Sequence, residues 1–235
     1  MEAFLTANFW VAVGQIILID ILLGGDNAVV IALACRGLPP KQRKMGIIYG
    51  TAGAIVLRVV LIAFALALLA VPYLKLVGGV LLLWIGVKLL LPEQEDGHTG
   101  INATDKLWGA VKTVIVADLV MSVDNVLAIA GAAENAGQHQ LALVIFGLLV
   151  SIPIIVAGSQ IVLKLMDKFP IIITLGAMLL GWIAGQMAYT DPAVRDYLPS
   201  SKAWEYAAAA FGAVFVLAVG KAILARRTLR VSTQA

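Results

Sequence analysis

Long apolar runs separated by short polar segments make up most of this chain. Runs of about 17–25 predominantly apolar residues are long enough to cross a bilayer as α-helices. The pattern predicts seven such helices, over residues 8–34, 46–70, 74–91, 109–132, 140–163, 169–189 and 203–225. One long polar segment separates the first three predicted helices from the last four.

Two motifs recur at one distance along the chain. Residues 20–27 read Asp-Ile-Leu-Leu-Gly-Gly-Asp-Asn, and residues 118–125, ninety-eight positions later, read Asp-Leu-Val-Met-Ser-Val-Asp-Asn. Residues 78–85 match 176–183 at the same offset. The two matches indicate an internal duplication. Because each copy holds three spans, an odd number, the second copy is expected to cross the bilayer inverted, as in many secondary transporters.

The predicted fold class is therefore an all-α polytopic membrane protein with seven transmembrane helices. Two inverted three-helix repeats plus a C-terminal helix make up the bundle. The predicted divisions are a first repeat over 1–92, a cytoplasmic linker over 93–108, a second repeat over 109–190, and a seventh helix with a basic tail over 191–235.

Composition and charge agree with a membrane protein. The chain is 61% hydrophobic and 13% charged, whereas soluble domains carry about 25% charged residues. The net charge of +3 gives no reason to expect nucleic-acid binding, so the expected environment is the lipid bilayer. The single cysteine, Cys35, excludes an internal disulfide. Lys and Arg are concentrated in one set of loops. Because loops rich in Lys and Arg stay in the cytoplasm, this bias predicts an extracytoplasmic N-terminus and a cytoplasmic C-terminus.

The duplicated motif places acidic residues where they are costly. A carboxylate at the bilayer centre costs about 2.5–3.5 kcal/mol on insertion scales. In each copy the first Asp and the Asn are seven residues apart, so they share a helix face, and the second Asp lies on an adjacent face. Facing copies would form a cage of oxygen ligands suited to Mn²⁺, Mg²⁺ or Ca²⁺. The candidate ligands are Asp20, Asp26, Asn27, Asp118, Asp124 and Asn125.

Neighbouring residues refine this hypothesis. Gly24 and Gly25 weaken the helix before Asp26 and could free backbone carbonyls for an ion. Met121 is a further candidate ligand, favouring manganese, although packing is its commoner role. Arg58, in the middle of the second predicted span, is the candidate counter-ion for one carboxylate. The remaining carboxylates would then need a cation or protons.

The two motif copies resemble a known family. Residues 25–32 (Gly-Asp-Asn-Ala-Val-Val-Ile-Ala) and 122–129 (Ser-Val-Asp-Asn-Val-Leu-Ala-Ile) are similar to the paired signatures of the TerC family of integral membrane proteins. The TerC family is similar to the wider LysE exporter superfamily. The compact length of this chain resembles the short YjbE/YkoY-type branch of the TerC family. The resemblance covers about residues 8–225 and implies export of divalent metal, chiefly Mn²⁺, across the bacterial inner membrane.

We therefore expect a non-enzymatic transporter with no tightly bound cofactor, which carries Mn²⁺ as substrate and exchanges protons on Asp20 or Asp118. One alternative is an amino-acid or small-solute exporter of the LysE type, which would need a cationic pocket for a carboxylate. An intramembrane aspartyl protease is disfavoured because Leu23 occupies the place of its signature glycine. A non-transporting membrane scaffold is the remaining alternative.

Overall fold

The computed structural model describes residues 10–11, 14–15, 17–18, 25–64, 71–91, 103–134, 140–199 and 201–234. It describes the side chains of these residues except those of 63, 103, 124, 126–134, 140–143 and 227–234. The described part contains eight named helices: α1 Gly25–Cys35, α2 Pro40–Ala63, α3 Leu74–Leu90, α4 Ala103–Glu134, α5 Gln140–Lys168, α6 Ile171–Tyr189, α7 Pro192–Arg195 and α8 Lys202–Gln234.

Four of these helices contain segments long and apolar enough to cross a membrane. The segments are Pro40–Ile62, Val144–Lys168, Ile171–Tyr189 and Lys202–Arg226. The all-helical, multi-pass architecture predicted from the sequence is therefore confirmed. The count of seven spans and the inverted repeat stay predictions, because α1 is described over 11 residues and α3 has 17.

Two helical segments differ from the prediction. Helix α4 begins at Ala103, inside the predicted linker 93–108. Its first turn is polar and carries Asp105, which the positive end of the helix dipole favours, so the apolar pattern alone could not detect it. The short helix α7 lies in the polar connection after α6. Asp191 is its N-cap and Pro192 its first residue, a combination typical of helix starts.

The contacts divide the chain into two compact units. The first consists of Met1–Val71 and Asn102–Lys164, and the second of Pro72–Ile101 and Leu165–Ala235. Each unit contains helices from both predicted repeats, so the units group helices by contact, and the repeat boundaries stay a prediction. The first unit holds α1, α2, α4 and most of α5, whereas the second holds α3, α6, α7 and α8.

In the first unit, α2 and α4 pack closely through glycines. A Cβ atom built on Gly46 would lie 3.5 Å from Leu107, and one built on Gly50 would lie 2.9 Å from Val114. Residue numbers rise together on the two helices, so α2 and α4 are parallel. Helix α1 contacts both of them. This packing brings α1, which begins with the last three residues of the first motif copy, against the helix that carries the second copy.

In the second unit, α3 and α6 cross through small residues and run antiparallel. A Cβ atom on Gly79 would lie 2.8 Å from the carbonyl oxygen of Ala184, and one on Gly86 would lie 3.2 Å from that of Ala177. Helix α8 packs on both helices. Small residues allow such close backbone approach, which is a common mode of helix association in membranes.

A buried carboxylate joins two segments of the second unit. Asp191 is 0% exposed and accepts hydrogen bonds from the backbone N–H groups of Tyr73, Leu76 and Ala193, at 3.0, 3.0 and 2.8 Å. Tyr73 has a positive φ of 66° at the start of α3. Burial by itself raises the pKa of Asp191, but the backbone donors outweigh burial, so the pKa lies below its ordinary value.

Candidate functional site

Buried polar side chains are concentrated in the first unit. Among the described residues, the buried polar or charged side chains other than Asp191 all belong to it, and they lie on α1, α2, α4 and α5. They are Asn27, Thr51, Arg58, Asp118, Ser122, Ser151 and Ser159. Because polar groups are expensive in a membrane interior, this concentration marks the first unit as the place for chemistry.

Arg58, Asp118 and Ser122 form a hydrogen-bonded group, here called the arginine cluster. Arg58 Nη2 forms an ion pair with Asp118 Oδ1. Arg58 Nε donates to Ser122 Oγ at 3.1 Å, and Ser122 Oγ donates to Asp118 Oδ2 at 3.1 Å. Arg58 is 3% exposed and Asp118 is 7% exposed. Among the described side chains, the structure therefore pairs Arg58, the predicted counter-ion, with Asp118.

Asn27 on α1 has a buried amide without a hydrogen-bond partner. The residue is 3% exposed, and neither its Oδ1 nor its Nδ2 forms a hydrogen bond. Its backbone N–H donates to the Asp26 carboxylate at 2.8 Å. Leaving a buried polar group unsatisfied costs about 1–3 kcal/mol, so such a group in a native structure calls for an explanation. A ligand bound at this position is one explanation, because a carboxylate is the preceding side chain.

Helix α1 packs against the helix that carries the second motif copy. Asp26 and Asn27 lie in the first turn of α1, and α1 contacts α4, which carries Asp118 and Asn125. That the acidic groups of the two copies face each other stays a prediction.

The remaining predicted ligands are placed only in part. Asn125 is half-buried on α4, two turns after Asp118 in an uninterrupted helix, so the predicted shared face is retained. Met121 is buried on the same helix. The side chain of Asp124 lies outside the described part of the chain.

Two other predicted positions, Asp20 and Gly24, also lie outside it, whereas Gly25 is the first residue of α1. Among the described side chains, no three of Asp, Glu, His or Cys are grouped closely enough to hold a metal ion. The full oxygen cage therefore stays a prediction.

The sequence reasoning missed the role of Ser122. This hydroxyl joins the guanidinium of Arg58 to the carboxylate of Asp118 and is completely buried. The sequence did contain one indication of this contact. Ser122 follows Asp118 by four residues, and residues at that spacing are neighbours on a helix. Thr51 on α2 also has a buried hydroxyl that lacks a hydrogen-bond partner.

A cavity of about 520 Å³ in the second unit is a poor candidate for a cation site. Its walls come from α3, α6 and α8 and the connection between the last two, and they are almost entirely apolar. Residues such as Leu83, Phe211 and Gly212 offer no ligand for an ion. The chemistry of the described chain therefore points to the first unit.

Comparison with known proteins decides the family. The sequence profile of the integral membrane protein TerC family matches residues 5–229, which is nearly the whole chain. The chain belongs to the TerC family. This membership confirms the resemblance inferred from the two motif copies, and it agrees with the multi-pass helical architecture.

Several membrane proteins of bacteria are similar to this chain. YjbE, an uncharacterized membrane protein of Bacillus subtilis, is 41% identical over 184 residues, covering 78% of this chain and 82% of YjbE. YkoY of the same organism is 28% identical over 213 residues, covering 83% of this chain and 65% of YkoY. The inner membrane protein YgdQ of Escherichia coli is 28% identical over 154 residues, covering 59% of this chain and 65% of YgdQ. No solved structure matches the chain.

Proposed function

We propose that this TerC-family protein is a secondary transporter that exports divalent cations, chiefly Mn²⁺, across the bacterial inner membrane. The observation that carries the proposal is the buried side-chain amide of Asn27, which has no hydrogen-bond partner. Asn27 directly follows Asp26, whose carboxylate accepts a hydrogen bond from the Asn27 backbone N–H. An amide oxygen and a carboxylate are ligands that hard divalent cations prefer. The choice of manganese rests on the family resemblance and on the thioether of Met121 nearby in the motif.

In this proposal, Mn²⁺ enters from the cytoplasm and binds between the Asp-Asn pairs of the two motif copies. The pairs are Asp26 with Asn27 and Asp124 with Asn125. The cation leaves outward by alternating access between two inverted repeats, which is the usual arrangement in secondary transporters. The surplus negative charge motivates proton exchange on Asp20 or Asp118, so the protein would be an antiporter. The N-terminus lies outside and the C-terminus in the cytoplasm, following the Lys and Arg bias.

Contacts in the second unit support the inverted repeat. Adding the ninety-eight-residue offset to Gly79 gives Ala177, and subtracting it from Ala184 gives Gly86. The contact of Gly79 with Ala184 therefore corresponds to the contact of Gly86 with Ala177, and both are present. Such paired contacts between antiparallel helices are what a two-fold axis between equivalent helices produces.

Aromatic pairs in the first unit support it independently. Trp10 packs edge-to-face on Phe146, and Trp108 stacks on Tyr49, each pair with ring centroids 6.2 Å apart. The two tryptophans are separated by the same offset of ninety-eight, and their partners by ninety-seven. Equivalent tryptophans of the two copies thus meet nearly equivalent partners.

An amino-acid cargo is less well supported. Its carboxylate would need a cationic partner in the membrane, and Arg58 already forms an ion pair with Asp118. The acidic and amide groups of the first unit are suited to a cation instead. We therefore favour the divalent metal over a small organic solute.

Mn²⁺ uptake into inside-out membrane vesicles tests this function. Asp26→Asn and Asp124→Asn should each abolish uptake while the protein still inserts. Asp196→Asn, a loop carboxylate that is exposed, is the matched control and should leave uptake unchanged. Normal uptake by the Asp26→Asn protein would refute the site. Uptake that does not respond to collapse of the proton gradient would refute the antiport step alone.

A further inference from the structure

One end of the second unit is formed by three helices that meet around a small core. Leu90 on α3, Ala177 on α6 and Val216 on α8 pack together. Gly220, about one turn later on α8, lies against Leu90, because a Cβ atom built on it would be 3.2 Å from Leu90 Cγ. The end of α3, the start of α6 and the last part of α8 therefore lie side by side.

Basic side chains are concentrated at this end of the second unit, here called the basic end. Four of them are described, and all are exposed: Lys88, Lys168, Lys221 and Arg226. Lys88 lies two residues before Leu90, and Lys221 directly follows Gly220. Because Gly220 packs on Leu90, the two lysines lie within about one helical turn of each other along the helix axes. Among the described residues, the one acidic residue at this end is Asp167.

Helix α8 adds further basic positions beyond the membrane-spanning segment. The apolar segment ends at Arg226, whereas the helical backbone continues to Gln234. The sequence places Arg227 and Arg230 in this extension. The extension therefore carries the basic end outward from the bilayer surface.

The opposite end of the same unit has no excess of positive charge. Its charged residues lie at the start of α3, between α6 and α8, and at the start of α8. Among the residues that the structure describes, they are Lys75, Arg195, Lys202, Asp191, Asp196 and Glu205. Basic and acidic residues are thus equal in number there, so the positive charge of the described second unit is concentrated at one end.

Two cations of the basic end lie over exposed aromatic rings. Lys88 Nζ is 5.2 Å from the centre of the Trp84 ring, and Lys168 Nζ is 5.4 Å from the centre of the Phe169 ring. Trp84 is 59% exposed and Phe169 is 46% exposed. Long basic side chains and tryptophans at helix ends are typical of the membrane surface, where apolar groups meet hydrocarbon and charges meet headgroups. These pairs therefore suit the level of the lipid phosphates.

The basic end also adjoins apolar surface. The apolar segment Ile171–Tyr189 begins there, and the segment Lys202–Arg226 ends there. Exposed apolar side chains on these segments include Leu175 and Phe215. A cationic patch bordered by such a surface is complementary to an amphipathic anion, and basic clusters beside a membrane span are typical binding sites for anionic lipids.

We propose that the basic end of the second unit binds the headgroup of an anionic phospholipid in preference to a zwitterionic one. The negatively charged headgroup contacts the basic side chains of α3 and α8, and the acyl chains lie along the exposed apolar side chains below them. Each basic residue near a membrane surface should strengthen the attraction for an anionic lipid about fivefold.

Native mass spectrometry of the full-length protein in detergent tests this proposal. Separate titrations with dioleoyl phosphatidylglycerol and dioleoyl phosphatidylcholine measure a Kd for each lipid. The wild-type protein should bind phosphatidylglycerol at least about tenfold more tightly than phosphatidylcholine. Lys88→Gln/Lys221→Gln should weaken phosphatidylglycerol binding at least about tenfold and leave the Kd for phosphatidylcholine unchanged. Lys88→Arg/Lys221→Arg keeps both charges and should retain the wild-type Kd values.

Arg195→Gln/Lys202→Gln is the matched control, because it removes two exposed cations from the opposite end of the unit. This control should leave both Kd values unchanged. Equal Kd values of the wild-type protein for the two lipids would overturn the proposal. Equal weakening of phosphatidylglycerol binding by the two pairs of glutamine substitutions would also overturn it, because the preference would then follow from net charge alone.

The acidic linker after α3 is the competing partner within the chain. Glu93, Glu95 and Asp96 belong to it and lie outside the described residues. If phosphatidylglycerol is preferred only after the triple substitution Glu93→Gln/Glu95→Gln/Asp96→Asn, the linker neutralises the basic end and the proposal is wrong. An unchanged or stronger preference in this variant supports the lipid. The titrations contain no Mn²⁺, so their outcome is independent of the proposed transport.

Discussion

At Asn27, one substitution should increase the stability of the protein and abolish the proposed function. The unsatisfied Oδ1 and Nδ2 of Asn27 destabilise the fold, so Asn27→Leu, which is similar in size and apolar, should raise the free energy of unfolding by about 1–2 kcal/mol. The same change should abolish Mn²⁺ transport because it removes an oxygen ligand. Denaturant unfolding in detergent and uptake by vesicles measure the two effects.

Thr51→Val is the matched control for Asn27→Leu. The Thr51 hydroxyl is also buried without a hydrogen-bond partner, and valine has nearly the same shape. This variant should be more stable than the wild type and should transport normally. A destabilised but transporting Asn27→Leu protein would show that the amide has a structural partner and no role in the cation site.

Asp191 predicts a defined dependence of stability on pH. Its pKa in the folded protein lies below its ordinary value, so its contribution to stability is complete above the unfolded pKa of about 3.9. That contribution is lost as the pH falls through the lower, folded pKa. Asp191→Ala should destabilise the protein by about 2 kcal/mol at neutral pH, because three backbone donors lose a charged acceptor.

Thermal unfolding between about pH 1 and pH 7 checks this prediction. The difference in stability between wild type and Asp191→Ala should shrink as the pH falls. Asp196→Ala, whose side chain is exposed in the next loop, should follow the wild-type curve. A constant difference at every pH would contradict the proposed role of the Asp191 charge.

Single residues also show where sequence reasoning stops. The four motif carboxylates and Arg58 could be identified as functional candidates because charged groups are costly in an apolar segment. Which carboxylate Arg58 would meet could not be predicted, since the answer depends on the parallel packing of α2 on α4. Asp191 was missed for a different reason. It lies in a polar loop, and its only local signal was the following proline, typical of a helix start.

At the scale of elements, close helix crossings depend on glycine in the second unit. Gly79→Ala places a Cβ atom 2.8 Å from the carbonyl oxygen of Ala184, so α3 and α6 must separate. We expect destabilisation by about 1–3 kcal/mol. Gly109→Ala on α4 is the control, because open space surrounds its Cβ position and alanine is the better helix former. Thermal unfolding should therefore shift in opposite directions for the two variants; equal shifts would refute the tight crossing.

Most helices could be predicted from apolar runs, and the reason is physical. A membrane span must be long and apolar, so α2, α5, α6 and α8 all coincide with predicted spans to within several residues. Apolar runs do not reveal polar helical turns, so the start of α4 at Ala103 and the short helix α7 were missed. Apolar runs also do not show which helices pack together, so the grouping of helices into two units could not be predicted from them.

At the scale of the whole molecule, the proposed orientation can be tested by chemical labelling. In a Cys35→Ala background, Tyr197→Cys adds a thiol at a site that is 88% exposed, in the loop before α8. Lys41→Cys adds one at the exposed start of α2. A membrane-impermeant maleimide applied to cells with a permeabilised outer envelope should label residue 197 and leave residue 41 unlabelled. Inside-out vesicles should reverse the pattern, and the opposite result would invert the topology and the direction of export.

The central claim is that the two acidic motif copies bind one dehydrated divalent cation between them. Anomalous X-ray scattering at the manganese edge, from crystals of the wild-type protein grown with Mn²⁺, tests it most directly. The account predicts one strong peak within ligand distance of the Asp26 carboxylate and the Asn27 amide oxygen, with Asp124 on its other side. A peak away from both Asp26 and Asn27, or the absence of manganese from the acidic helices, would contradict it.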